Sequence, residues 1–315
     1  MRKIVAALLA AAFFALPAMA APARRGPSNS GALLYEALPL IRSTQNHLLV
    51  RAEINGKPAL LGVDSGAPVS AISIKRRAYF GMAPISGKSA IPSRLSINGA
   101  FNTVAIARNL RLGSLNLVDE PMVLVDLGGL RRSTKGDEID GILGADVLFP
   151  TKALLDCQRQ ILVLKINPSV PGRVPGFDFS GFRGIPIHVS DGYNLYVDGS
   201  VNGIKAKLMV DTGAFATLLH SRFVRRMRIP LRDTPFSSSG VNLKQRGVQI
   251  ATISRFSIGS MDMRSNDVGV INLEGLIHGG LLNASPPVAG LLGSEILRRY
   301  HGIIDFGTKT LYLRR

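Results

Sequence analysis

The stretch Leu61-Gly62-Val63-Asp64-Ser65-Gly66-Ala67 recurs 147 residues later as Leu208-Met209-Val210-Asp211-Thr212-Gly213-Ala214. Each copy is an apolar run that ends in an acidic side chain on a glycine turn. The correspondence extends outward on both sides. Ile54-Asn55-Gly56 returns as Val201-Asn202-Gly203, and Leu112-Gly113-Ser114-Leu115 as Ile258-Gly259-Ser260-Met261. Gly141-Ile142-Leu143-Gly144 returns as Gly290-Leu291-Leu292-Gly293, and Leu154-Leu155-Asp156 as Ile303-Ile304-Asp305. These offsets are 147, 146, 149 and 149 residues, so the register hardly drifts across a whole lobe. Such self-similarity is the signature of an internal duplication.

Composition sets the frame around the repeat. Arg2 and Lys3, the apolar Ile4 to Leu16, Pro17 and the small Ala18-Met19-Ala20 read as a secretory signal over residues 1–20. The apolar run is too short for the ~20 residues of a membrane span. A periplasmic or secreted protein is therefore expected. Cys157 is the only cysteine, which excludes a disulfide-stapled scaffold and leaves stability to packed cores. The net charge of +17 and isoelectric point near 10.6 favour anionic surroundings. The basic residues are scattered in pairs such as Arg76-Arg77 and Arg225-Arg226, with no interleaved aromatics and no tryptophan. That pattern argues against nucleic acid and for a solvated surface, with weak attraction to anionic envelope polymers as a secondary expectation.

Along the chain, residues 21–30 read as a disordered polar arm, 31–166 as the N-terminal lobe and 185–315 as the C-terminal lobe. Between them, residues 167–184 read as a linker, because 167–176 contain three prolines and two glycines. Both lobes consist mostly of short alternating apolar segments bounded by Gly, Asn and Pro. Asn-Gly between two apolar runs predicts a hairpin. Helical periodicity is confined to Ser73–Phe80, Ala145–Phe149, Ser221–Met227 and Ser294–Tyr300. The expected fold is mainly β.

Two in-register Asp-Ser/Thr-Gly turns, each followed about 80 residues later by two apolar residues and a glycine, resemble the pepsin/retropepsin clan of aspartic proteases. The resemblance covers nearly all of residues 31–315 and implies two homologous retropepsin-like β-barrel lobes with an active-site cleft between them. It implies a catalytic pair, Asp64 and Asp211, one from each lobe. Hydrolysing a peptide bond without a metal needs a base for water and an acid for the substrate, and two adjacent carboxylates sharing one proton supply both. Gly66 and Gly213 allow the tight turns. By the same analogy the Ser65 and Thr212 hydroxyls bond across to the opposite loop, and Ile142-Leu143-Gly144 and Leu291-Leu292-Gly293 support the turns from beneath. Ala67 and Ala214 stand where acid-optimum members carry a hydroxyl that lowers a carboxylate's pKa. Their absence predicts activity at mildly rather than strongly acidic pH. A flap closing on the peptide is implied some 20 to 30 residues past each aspartate, with Ser86 and Gly87 in one lobe and Ser239 and Gly240 in the other as candidates.

Other patterns carry less. Gly81 to Ser89 has the wrong glycine spacing for a phosphate loop. The histidines 47, 188, 220, 278 and 301 are dispersed, so no metal site is expected. Ser294 lacks the flanking glycines of a hydrolase elbow. Asp140 and Asp146 read as structural or surface residues, and Asp156 and Asp305 as turn caps. The expectation is a monomeric, cofactor-free exported endopeptidase acting on peptide or protein substrates. The alternatives are a non-catalytic peptide-binding relative and a basic envelope-polymer binding protein.

Overall fold

Asn55-Gly56 and Asn202-Gly203 set the geometry of both lobes. In the computed structural model, which describes residues 34–85, 103–127, 139–169, 171–190, 193–236, 238–240, 243–245, 247–263, 266–278, 282 and 288–315, all four of these residues have positive φ, between 48° and 82°. That is the conformation a two-residue hairpin turn of this type requires. The turn joins Leu48–Ile54 to Lys57–Val63 in the first lobe and Leu195–Val201 to Ile204–Val210 in the second. The second strand of each hairpin runs straight into its aspartate.

Each hairpin then belongs to a ring of strands. Lys57–Val63 pairs in parallel with Gly141–Leu143, which pairs with Ala71–Ser73, then Leu115–Val125, then Val104–Leu112. Val104–Leu112 returns to Leu48–Ile54 through Ile54↔Leu110 and closes the barrel. The second lobe repeats the path through Gly290–Leu292, Leu218–His220 and Asn266–Ile271. There the closing strand is broken into Gln249–Ile253 and Phe256–Ile258, and the Asn202 side chain accepts the N–H groups of Ser254 and Arg255 at the break. The architecture is mainly β, with two homologous barrels.

A six-stranded sheet is made from both halves of the chain. Leu154–Asp156 pairs antiparallel with Ile303–Asp305, flanked by Ile161–Lys165 and Tyr35–Pro39 on one side and Thr310–Leu313 and Arg183–Pro186 on the other. Alternation decides what faces inward. Leu48, Val50, Ala52 and Ile54 enter a core cluster that runs on through Leu155, Leu208 and Ile304 into the second lobe, while Arg51 and Glu53 face solvent. Residues 33–315 form one compact unit.

Some segments differ from their sequence-based reading. Ser73–Phe80 is not a helix. Its turn bonds have mixed spacing (Arg76 to Ser73, Phe80 to Arg76, Met82 to Arg77), because Arg76 is drawn to the buried Asp140 carboxylate and lies over the Tyr79 ring. Ala145–Leu148, Ser221–Arg226 and Ser294–Arg299 are helical as expected, and Glu274–His278 adds a helix that the periodicity did not announce. In the 167–184 segment Phe177, Phe179 and Phe182 pack against the six-stranded sheet, with Phe179 and Tyr312 rings 4.2 Å apart. The signal at 1–20 and the arm at 21–30 lie outside the described residues, as do Ser86 and Gly87. Among the described residues no helix is long and apolar enough to cross a membrane.

Candidate active site

Val63 and Val210 end their strands inside the main core, and the chain turns at the next residue. The Asp64 N–H donates to Leu143 O at 3.0 Å and the Asp211 N–H to Leu292 O at 3.0 Å, so the parallel support strand fixes where each acidic residue starts. The Gly66 N–H then donates to Asp64 Oδ1 at 2.8 Å, while the Gly213 and Ala214 N–H groups both donate to Asp211 Oδ1 at 2.9 Å. These bonds engage Oδ1 of each aspartate.

The two turns interlock. The Ser65 N–H donates to Thr212 Oγ1 at 2.9 Å, and the Thr212 N–H to Ser65 Oγ at 3.1 Å. Each hydroxyl donates onward to the opposite strand, Ser65 Oγ to Val210 O and Thr212 Oγ1 to Val63 O, both at 2.8 Å. Both residues are almost fully buried, so the network is shielded from competing water. It holds the Asp64 and Asp211 carboxyls within hydrogen-bond reach of each other. The glycines are sterically required here. A Cβ on Gly66 would lie 2.5 Å from Asp211 Cγ, and one on Gly213 would collide with the Asp64 carboxylate.

Burial raises the proton affinity of both acids above the usual carboxylate range. The effect is stronger for Asp211, where the neighbouring Asp64 charge adds to it. Two such groups cannot both ionise at this separation, so they titrate as a pair around one shared proton. The backbone N–H bonds work in the opposite direction and limit the rise.

Beneath the turns sits a second duplicated layer. The Ser70 hydroxyl accepts the Gly144 N–H at 3.0 Å, and Thr217 Oγ1 accepts the Gly293 N–H at 3.0 Å. Ser70 is held by Asp146, and the Thr217 N–H donates to Glu295. A Cβ on Gly144 would lie 2.6 Å from the Val69 carbonyl carbon, which is why glycine follows the two apolar residues.

Each barrel carries one of the mirrored turns, and a profile of the aspartyl protease family matches residues 50–147 and again 197–296. The chain belongs to the aspartyl protease family. It is a duplicated, retropepsin-like member whose two matched segments are the two barrels. Among solved structures, it is similar to an aspartic proteinase from Irpex lacteus, at 16% identity and a TM-score of 0.48 over 89% of this chain and 97% of that one. It is also similar to basic 7S globulin from soybean, at 9% identity and a TM-score of 0.44 over 90% and 94% of the two chains. No curated protein sequence matches the chain.

In this member of the aspartyl protease family the positions singled out by sequence fall in different places. Asp64, Ser65, Gly66, Asp211, Thr212 and Gly213 converge at the meeting of the lobes. Ser239 and Gly240 lie in a hairpin strand, Ser238–Gly240, paired with Leu243–Gln245. Asp156 Oδ1 accepts the Gln158 and Arg159 N–H groups and Asp305 Oδ1 that of Thr308, so both cap turns. Asp140 and Asp146 are buried and structural, not surface residues. Among the described residues no group of three His, Cys, Asp or Glu side chains could hold a metal ion. Burial pushes the Cys157 thiol up to about 12, so it keeps its proton at neutral pH. Sequence reasoning missed Ser70 and Thr217, although they obey the 147-residue offset, and it missed His47 and Asn194, which obey it too.

Proposed function

We propose that the protein is an exported aspartic endopeptidase in which Asp64 and Asp211 activate a water between them and share the proton needed by the departing amine. The observation that carries this reading is the crossed Ser65–Thr212 interlock, which holds two carboxyls of raised proton affinity side by side. A binding module would have no need for a buried acidic pair. In the reaction the ionised carboxylate takes a proton from water, and the protonated one hydrogen-bonds the scissile carbonyl oxygen. The roles then reverse as the amine leaves.

No hydroxyl is provided by Ala67 or Ala214 to lower the pair's proton affinity. Hydrolysis is therefore expected to follow a bell-shaped profile centred at mildly acidic pH. The chain without residues 1–20 is incubated with a diverse peptide library between pH 3 and about 8, with and without a hydroxyl-bearing transition-state mimic. Inhibitable cleavage that disappears in Asp64→Asn, with thermal unfolding still cooperative, supports the reading. Peptide retention without turnover would identify a capture protein instead. Export is tested by cell fractionation and sequencing of the mature N-terminus, which is expected at Ala21. Weak, salt-sensitive attraction to anionic envelope polymers is a secondary expectation of the +17 charge.

A further inference from the structure

We propose that His47 is a positioning residue for the shared proton: an imidazole brought level with Asp64 by the hairpin register, answered by an uncharged Asn194 at the equivalent position of the other hairpin, makes the two carboxyls unequal and keeps the proton on Asp211. The inference rests on the endopeptidase reading for its catalytic consequence, though not for the charge arrangement itself.

The placement follows from strand register. Leu49 is the last paired residue, opposite Gly62, and continuing that register two positions brings His47 level with Asp64, on which it exerts an electrostatic effect. Tyr196 is the last paired residue of the second hairpin, opposite Met209, and the same continuation brings Asn194 level with Asp211. Residues two positions apart along a strand share a face, so His47 follows Leu49 and Asn194 follows Tyr196. The face is corroborated by packing, since Leu49 and Leu60 share one small cluster and Tyr196 and Met209 another, both distinct from the main core.

The two residues are delivered by matching turns. The Ser43 N–H donates to His47 O and the Asn46 N–H to Ser43 O, at 2.9 and 3.0 Å. The Ser190 N–H donates to Asn194 O and the Tyr193 N–H to Ser190 O, both at 3.1 Å. Asn46 and Tyr193 have φ of 62° and 66°. The backbones are equivalent, so the difference lies in the side chains. Among the described residues no hydrogen bond is made to the His47 ring, and Asn194, 3% exposed, has an unpaired Oδ1. An amide carries no charge at any pH, whereas the imidazole becomes a cation on the acidic side and then stabilises an anion near it.

The surrounding charges do not blur this contrast. The groove beside the Ser43–Asn46 turn is lined by Arg42, Glu295, Arg298, Arg299 and His301. Arg42 is engaged by Asn46 and the Cys157 carbonyl, and Glu295 by the Thr217 N–H. Burial lowers the proton affinity of the imidazole, and among the described charges Asp64 alone has a resolved effect on it, raising it. Reciprocally, His47 favours the ionised form of Asp64, and the bond between the carboxyls favours a protonated Asp211. A single chain built from two non-identical halves can fix such an asymmetry, which two identical halves cannot.

The test has two arms, carried out on the chain from residue 21. In the kinetic arm, a cation beside Asp64 helps the doubly protonated pair lose its first proton, so removing it preserves the inactive form to higher pH. His47→Asn is expected to displace the acid limb of the pH–kcat/KM profile upward, lowering relative activity on that limb roughly three- to tenfold. Adding Asn194→His to that variant is expected to bring the limb back. A uniform drop at every pH, with the limb unmoved, would show a merely structural histidine and overturn the proposal. The second arm needs no turnover: carbon-detected NMR titration of the two carboxyls and of the imidazole. Asp64 is expected to ionise before Asp211, the gap to narrow in His47→Asn, and the imidazole to hold its proton less well in Asp64→Asn. Carboxyls that titrate alike in the wild type would refute the asymmetry even in an active enzyme. The expected titration in a protein that cuts nothing would uphold the charge arrangement and refute the endopeptidase reading.

Discussion

Placing two acids side by side under protein has a thermodynamic consequence that can be measured without any substrate. Burial holds the Asp211 carboxyl well above its ordinary range. A group whose proton affinity is raised on folding contributes its stability below the unfolded-state pKa and loses it as pH climbs through the folded-state value. Asp211 therefore weakens the fold at neutral pH. Asp211→Asn, neutral at every pH and close in size, is expected to raise the thermal midpoint by a few degrees at pH 7 and to leave it nearly unchanged near pH 3. Calorimetry at the two pH values checks this, and a lower midpoint at pH 7 would contradict it. The acidic pair was legible in the sequence because the Asp-Ser/Thr-Gly turn is both local and repeated. His47 was not, because its proposed role depends on a hairpin register, ending at Leu49 opposite Gly62, that brings it level with residue 64.

At the scale of elements, the crossed hydroxyls join two strands that otherwise belong to separate barrels. Thr212→Val keeps the shape and removes Oγ1, leaving the buried Ser65 N–H without its acceptor and Val63 O without its donor. An orphaned buried polar group costs about 1–3 kcal/mol. A loss of that order in denaturant unfolding is expected, together with a fall in kcat as the carboxyls lose alignment. Ser65→Thr retains the hydroxyl, so any loss by the same measurement is expected to come only from fitting one extra methyl, about 1–3 kcal/mol at a packed site, with the interlock kept. A Thr212→Val protein as stable as wild type would show that the interlock is incidental. The hairpins and the helices after Gly144 and Gly293 were readable because a turn dipeptide or a glycine sits next to them. Ser73–Phe80 was misread for the converse reason. Its periodicity is helical, but the arginine at 76 is captured by Asp140, sixty-four positions away, and a contact at that distance leaves no local trace.

On the scale of the whole molecule, the halves are not two beads on a string. Leu154–Asp156 and Ile303–Asp305 are adjacent strands of one sheet, the Cys157 N–H donates to Gly302 O, the Phe306 N–H donates to Ala153 O, and the 167–184 segment is pinned by three phenylalanines. The duplication was visible in the 149-residue offset of these strands, but their mutual pairing was not, since two similar triplets, Leu-Leu-Asp and Ile-Ile-Asp, do not say whether they meet each other or separate partners. The arrangement predicts one cooperative unfolding transition for the full chain. Ile304 is fully buried where the halves meet, so Ile304→Ala should remove about 2–5 kcal/mol and move that single transition intact. Residues 34–166 produced alone would expose the edge of Leu154–Asp156 to solvent and to aggregation, and are expected to show no cooperative melt. Two separable transitions in Ile304→Ala, with only the later one displaced, would mean that each barrel is stable by itself. The shared sheet would then orient the carboxyls without contributing to the stability of either lobe.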